Sequence, residues 1–224
     1  MSPRIVALVA ARDEAGRVGA CVAALRPLVD DVVVVDDGSE DATAAEALEA
    51  GATVIRTGRR QGKGRALEGA LRRLPSADRW LFVDADLADT AAHLADLLDV
   101  VAAGAADVAI AAFPPAAAGG FGLVKRAAAG GIRILSGFEA REPLSGQRAL
   151  TAEALEAVRP LARGFGVETG MTIDAVRAGL RVVEVPVRRL EHRPTFRDAR
   201  GFAHRGRQGA DILLTLAQRV MRAR

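Results

Sequence analysis

Asp84 and Asp86, separated by one alanine, close the apolar run Leu81-Phe82-Val83. Two carboxylates at that spacing can share a divalent cation, or one can hold a ribose and the other the metal. Hard oxygen ligands suit Mg2+ or Mn2+, and both ions bind diphosphates. A strand ending in a polar turn is the plainer reading of the same residues, since Asp is common in turns. Further acidic pairs stand at Asp13-Glu14 and Asp36-Asp37, and Lys63 lies between Gly62 and Gly64. Backbone amides at a helix start, joined by a cation, favour a phosphate or a nucleobase carbonyl. Lys63 and Lys125 are the only lysines in a chain that otherwise uses arginine. A compact ammonium is therefore wanted between the two glycines, unless this is simply a solvated loop. Further on, Glu168 is set among glycines in Gly164-Phe165-Gly166-Val167-Glu168-Thr169-Gly170.

The elements that must carry these groups alternate. Arg4 to Ala10 reads as a buried strand, followed by a helical pattern with Val18, Val22, Leu25 and Leu28 on one side. Asp13 and Glu14 then either cap that helix or face a ligand. Asp31 to Val35 is a second buried strand that runs into Asp36-Asp37-Gly38-Ser39-Glu40-Asp41, with Ser39 or Asp41 as an N-cap. A helix to about Ala50 and a strand from Thr53 to Ile55 follow, then a helix from Ala66 to Leu74. Arg79 to Val83 is the strand that ends on Asp84 and Asp86, with a helix expected around Ala92 to Ala103 and a strand over Asp107 to Ala112. Strand, acidic turn and helix in succession predict an α/β fold with a mostly parallel central sheet and helices on both faces. In such sheets, residues at the carboxyl ends of strands face the ligand crevice.

The second half departs from this alternation. Phe113 to Gly122 reads as a Pro-, Gly- and Ala-rich loop able to move over a ligand, and Leu123 to about Leu135 as a helix. Pro143 to Leu150 reads as a polar turn. Glu168 precedes a helix ending near Gly179, and Arg181 to Val187, with Pro186, reads as an edge strand. Arg188 to Arg207 is arginine-rich, carries His192 and His204, and shows no helical pattern. A solvated surface is the ordinary fate of such a run; a lone His such as His192 is more often structural than a ligand. Asp211 to Met221 is a final amphipathic helix.

Composition narrows the classes. The 224 residues suffice for one large domain, and no apolar run reaches the length of a membrane span. Cys21 is the sole cysteine, which excludes an intrachain disulfide, fits a reducing compartment and places it in the core of a helical segment. No signal peptide is expected from the Met-Ser-Pro-Arg start. The net charge of +3 comes with no Tyr and one Trp, so stacking platforms are scarce and nucleic acid is not expected as a partner. The first strand is not followed by G-x-G-x-x-G, and the Lys63 loop lacks P-loop spacing. Together these argue against a dinucleotide-binding dehydrogenase and a P-loop enzyme. A nucleotidyltransferase would carry a long glycine-rich loop where Ala11 to Gly16 stands, and a phospho-receiver domain would be about half this length.

Taken together, Asp13-Glu14, Asp36-Asp37-Gly38-Ser39, Gly62-Lys63-Gly64 and Asp84-Ala85-Asp86 resemble the nucleotide-sugar glycosyltransferases of family two, which have the GT-A fold. Ser145-Gly146-Gln147-Arg148 is similar to the acceptor-side motif of polyprenyl-phosphate glycosyltransferases. Gly164-Phe165-Gly166-Val167-Glu168 and Glu191-His192-Arg193 are similar to the glucosyl-3-phosphoglycerate synthases. The resemblance implies one GT-A domain over 1–224, with a nucleotide-sugar half (1–112) and an acceptor half (113–224). It implies donor binding by Ala11, Asp13, Glu14, Asp36, Asp37, Lys63, Asp84 and Ala85. Acceptor binding would fall to Ser145, Gly146, Gln147, Arg148, Phe165 and Arg193. The resemblance further implies an Mg2+ or Mn2+ site at Asp86 and His192, and Asp86 and Glu168 as the catalytic pair.

The expected activity is metal-dependent transfer from a UDP- or GDP-sugar to an anionic acceptor, either a polyprenyl phosphate or a small phosphorylated or carboxylated molecule. A non-catalytic nucleotide-sugar-binding protein on the same fold is the alternative. Arginines flanking the last helix are compatible with peripheral membrane contact, although such a helix more often closes the core. A homodimer is compatible as well. The expected compartment is the cytoplasm, extending to the inner face of its membrane.

Overall fold

The computed structural model describes residues 2–113, 122–187, 189–190 and 199–221, with side chains from 208 onward in the last stretch. Its elements in chain order are β1 (Ile5–Ala11), α1 (Val18–Leu25), β2 (Asp31–Asp36), α2 (Thr43–Glu49), β3 (Thr53–Arg56), α3 (Lys63–Leu71) and β4 (Arg79–Asp84). A 3-10 segment, Ala85–Leu94, leads into α4 (Ala95–Ala102), β5 (Val108–Ala112), α5 (Gly122–Ser136), β6 (Arg148–Thr151) and α6 (Ala152–Val158). The 3-10 turn Gly164–Gly166 then opens α7 (Val167–Arg177), before β7 (Val182–Pro186) and α8 (Ala199–Met221).

The strands form one seven-stranded sheet in the order β3-β2-β1-β4-β6-β5-β7. β3, β2, β1 and β4 are mutually parallel, β6 runs antiparallel between β4 and β5, and β7 pairs parallel to β5 at the edge. Near-continuous apolar strands follow from burial on both faces. Ala7 and Val9 point to one side, where α1, the Ala85–Leu94 segment and α4 pack. Val6 and Leu8 point to the other, beneath α3, α6 and α7. Cys21 is fully buried in the first layer, as its helical pattern implied.

Register is what brings the acidic turns together. Ala11 of β1 stands opposite Asp36 of β2, and Ala10 stands opposite Asp84 of β4. The polar turns after β1, β2 and β4 therefore emerge side by side, at the point where strand order reverses.

The differences from expectation lie in the second half and at helix starts. Pro143 to Leu150 was expected to be a turn; its end forms β6, a short strand held between two longer ones. The last helix begins at Ala199, twelve residues before the expected Asp211, so part of the arginine-rich stretch is helical after all. α3 begins at Lys63 rather than Ala66, and α1 begins only at Val18 and ends before Leu28. Asp13 and Glu14 consequently do not cap α1, whose N-cap position is Arg17. The expected mobile loop over 113–122 lies outside the described residues apart from its two ends.

Candidate functional site

The turn after β1 is held by its neighbour. The backbone amides of Asp13, Glu14, Ala15 and Gly16 donate to Ser39 Oγ (2.9 Å), Thr43 Oγ1 (2.8 Å), Asp41 Oδ2 (3.1 Å) and Glu46 Oε2 (2.6 Å). Asp13 Oδ1 accepts in return from the Glu40 amide at 2.9 Å. This grip holds Asp13 at φ +53, a left-handed conformation that Asp tolerates better than most residues.

The turn after β2 divides its two acids. Asp36 is fully buried; its Oδ1 accepts from the Ser39 amide and hydroxyl, and Arg56 Nε lies 3.1 Å from its Oδ2. It shapes the turn from within and does not reach the cavity, so its expected donor-binding role is corrected to a supporting one. Asp37 faces the other way. Its two carboxylate oxygens accept from the Gln61 and Gly62 amides, both at 2.7 Å, which fixes the loop that delivers Lys63.

Lys63 is the first residue of α3, following Gly62 at φ +89. Its ammonium lies 2.5 Å from Asp84 Oδ1 and 2.7 Å from Glu168 Oε1. Burial alone would lower its pKa, but the two carboxylates overcome that and hold it above the ordinary lysine value. Gly64 lets α3 approach the chain closely at this point, since a Cβ there would fall 1.8 Å from the Ala162 carbonyl oxygen. Glu68, further along α3, accepts from the Leu161 amide and from Arg159, tying the helix to the segment that leads to Gly164.

Asp84 is committed on both sides, with Lys63 at Oδ1 and Gln147 Nε2 donating to Oδ2 at 3.2 Å. Asp86 lies two residues beyond, and its carbonyl accepts from Arg17 Nη1 at 3.2 Å. Below it, burial and then the charges of Asp86, Asp84 and Glu14 push the Cys21 thiol up to about 12, so it stays protonated and inert.

These groups line one cavity of about 940 Å³. Of the expected residues, Ala11, Asp13, Glu14, Asp37, Lys63, Asp84, Ala85, Asp86, Phe165 and Glu168 form its wall. Glu168 belongs to the first turn of α7 rather than to a loop ahead of it. Ser145, Gly146, Gln147 and Arg148 do not line the cavity; only the preceding Leu144 does. Arg148 is fully buried in β6, donating to the Ser145 carbonyl and to Thr172 Oγ1, and Ser145 is buried beside it. Of this tetrapeptide, of which acceptor binding was expected, Gln147 donates to Asp84 and none of the four reaches the cavity wall. His192 and Arg193 lie outside the described residues.

Several wall residues had no sequence signal. Gln208, Asp211 and Leu214 come from α8, and Gln208 lies in the early part of that helix, which the arginine- and glycine-rich sequence concealed. Asp211 Oδ2 accepts from the Phe165 amide at 3.0 Å, which fixes the Gly164–Gly166 turn against α8. Gln208 Oε1 is buried with no hydrogen-bond partner among the described residues. Arg60, Arg65 and Arg163 add positive charge to the wall.

Residues 7–149 match the profile of glycosyl transferase family 2. The chain belongs to this family. Among relatives of this family 2 chain, the glycosyltransferase AglJ of Haloferax volcanii is 31% identical over 163 residues, covering 69% of this chain and 52% of AglJ. Glucosyl-3-phosphoglycerate synthase of Mycolicibacterium paratuberculosis is 31% identical over 238 residues, covering 93% of this chain and 70% of the synthase. The chain thus spans about half the length of AglJ. The crystal structure of glucosyl-3-phosphoglycerate synthase from Mycobacterium tuberculosis with Mn2+, UDP and glucosyl-3-phosphoglycerate superposes with a TM-score of 0.81 at 26% identity. It covers 97% of this chain and 80% of that one. The same synthase with Mg2+ and UDP gives a TM-score of 0.82 at 27% identity. The sheet is therefore that of the GT-A fold.

The donor set available to a metal fits a cation that arrives with a diphosphate. Among the described residues no group of three His, Cys, Asp or Glu side chains could hold a metal by itself. Asp84 is paired with Lys63, and Asp86 lines the cavity. Mg2+ is commonly held by one or two carboxylates, with substrate phosphates and water completing its shell.

Proposed function

We propose that this protein transfers a sugar from a nucleoside diphosphate sugar to a phosphorylated acceptor, with Mg2+ or Mn2+ as cofactor. One observation carries the reading: Asp37, Lys63 and Asp86, from three separate sequence motifs, line the same cavity beside Glu168. The fold match to a synthase crystallised with Mn2+, UDP-glucose and phosphoglyceric acid supports the same substrate chemistry.

In this reading residues 1–112 hold the donor and 113–224 the acceptor, and both halves contribute walls to the cavity. The start of α3 presents backbone amides and a helix dipole to the donor's phosphates. Asp13 and Glu14, gripped by the α2 segment, face the nucleoside. Asp86 holds the divalent cation against the diphosphate; bound there, the cation neutralises the leaving group as a Lewis acid. Lys63 keeps Asp84 and Glu168 at a fixed separation, so Asp84 meets the ribose or sugar while Glu168 orients the acceptor hydroxyl or phosphate. In an inverting reaction Glu168 would also take the acceptor proton. Arg163, Arg65 and Gln208 supply donors for the acceptor's anionic group.

The test is turnover of a panel of UDP- and GDP-sugars with Mn2+ and phosphorylated acceptors, for wild type and Asp86→Ala. The variant should lose on the order of 10²- to 10³-fold in turnover while still folding. Unchanged turnover in Asp86→Ala would overturn the mechanism. Nucleotide binding by calorimetry without turnover of any pair would leave the non-catalytic binding protein instead.

A further inference from the structure

Of the seven large apolar side chains exposed among the described residues, six lie on α5 and α8. On α8, Leu213 and Val220 are exposed together with Ala210 and Ala217, at the three- and four-residue intervals that define one helix face. Leu214 and Met221 widen that stripe. The opposite face, Ile212, Thr215 and Arg219, is buried. On α5, Leu123, Ala127 and Ile134 share an exposed face, with Leu123 and Ile134 at 76% and 82% exposure, while Ala128 and Ile132 are buried.

The two stripes are neighbours. A methyl group on Gly131 of α5 would lie 2.5 Å from both Cδ atoms of Leu216, and one on Gly209 of α8 would lie 4.0 Å from Val124 Cγ2. The helices therefore lie side by side and run in the same direction. On α8 the exposed positions adjoin Leu216; on α5 they adjoin Gly131, on the side away from buried Ala128 and Ile132. The apolar faces flank a single crevice and form one patch. Leu214 also lines the cavity, so the patch reaches the cavity's rim.

Charge selects the occupant. Arg126 and Arg133 of α5 are exposed, and α5 contains no acid. The only acid of α8 is Asp211, which lines the cavity. A two-fold pairing of this patch with a second copy would bring like charges toward one another. An anionic lipid surface would neutralise them and accept the apolar side chains between them. α8 is suited to lie on such a surface, because no described helix is long and apolar enough to cross it.

We propose that α5 and α8 form a docking face for an anionic membrane surface. The proposal goes beyond the transfer reading and does not depend on it. The experiment is flotation of the full chain with vesicles of phosphatidylglycerol in phosphatidylcholine and with phosphatidylcholine alone, alongside light scattering in solution. Wild type should float with the anionic vesicles, and raising salt to roughly 0.5 M should weaken this by screening. Arg126→Glu combined with Arg133→Glu should lower partitioning by at least about fivefold per arginine. Ile134→Glu with Leu213→Glu should abolish it while leaving the melting temperature and nucleotide-sugar turnover unchanged. Wild type that fails to float, or floats equally with variants of either kind, overturns the proposal. A solution dimer dissociated by Ile134→Glu would overturn it too and assign the patch to a second copy.

Discussion

Gly146 tests whether the Lys63–Asp84–Glu168 cluster is the working centre of the cavity. A Cβ at position 146 would lie 2.3 Å from Asp84 Oδ2 and 2.5 Å from Lys63 Nζ, where ordinary contact begins at 3.4 Å. Gly146→Ala must therefore displace the Asp84 carboxylate by about 1 Å, a misplacement that commonly costs about 10²-fold in turnover. Its backbone is not in the left-handed region, so alanine adds no strain of that kind. The colliding atoms end flexible side chains and can move, so the fold should survive with a loss of about 1 kcal/mol. Steady-state turnover of a nucleotide sugar with Mn2+, measured beside thermal unfolding, separates the two effects. A folded Gly146→Ala protein within twofold of wild-type turnover would refute the assignment of this pair to the chemistry. A collapse in melting temperature would refute the claim that the clash falls on movable groups.

Three further perturbations address the scaffold. Lys63→Met removes the ammonium that pairs directly with Asp84 and the buried Glu168, at a cost of about 3 kcal/mol; an unchanged urea midpoint would contradict it. Glu68 is held below its ordinary value of 4.5, because hydrogen bonds from Arg159, Leu161 and Arg72 outweigh the opposing effect of burial. Its contribution is therefore present above pH 4.5 and lost as pH falls through the lowered folded value. Glu68→Gln should destabilise the protein by about 1–2 kcal/mol at neutral pH, with the gap closing in acid; a gap constant across urea titrations at both pH values would be the wrong result. Gly164→Ala combines φ +56 with a Cβ 2.0 Å from Asp211 Oδ2. It should cost at least about 1–2 kcal/mol, and a cycle with Asp211→Ala should show coupling of about 0.5 kcal/mol or more. Additive losses would mean the Asp211–Gly164 contact carries no energy.

The first half was legible because each element announces itself locally. β1, β2 and β4 are apolar runs buried on both faces, each ending on an acidic turn, and parallel pairing then lines the turns up. Asp36 shows the limit of that reasoning: two adjacent acids after a strand point to opposite sides, and only the position of Arg56 reveals which one is internal. β6 was illegible because it is short, antiparallel and carries Arg148, a residue that a sequence reading places in water. Its continuation into α6 did leave a trace, since Thr151 accepts from the Ala154 amide as an N-cap. The start of α8 was hidden by Gly201, Gly206 and Gly209, each of which lowers helix preference by about 1 kcal/mol relative to alanine. Gly209 has a tertiary reason to be there, because it faces Val124 across the junction with α5.

The buried arginine of β6 completes the electrostatic account of the cavity floor. Burial depresses Arg148 to about 10, even though Glu168, Glu184 and Asp84 pull in the opposite direction. It stays protonated at neutral pH, so the floor holds two cations, Lys63 and Arg148, near Asp84 and Glu168. Arg148 makes no direct ion pair with either acid; it donates instead to the Ser145 carbonyl and Thr172 Oγ1. Its charge therefore acts at a distance, while Lys63 fixes geometry by contact. Two anionic groups next to a site that must receive a diphosphate would otherwise repel it. With Lys63 and Arg148 behind them, and the α3 amides beside them, the acids can face an anionic substrate without making the cavity hostile to it. Of the tetrapeptide Ser145-Gly146-Gln147-Arg148, only Arg148 lies in the sheet, and its charge reaches the acids from there.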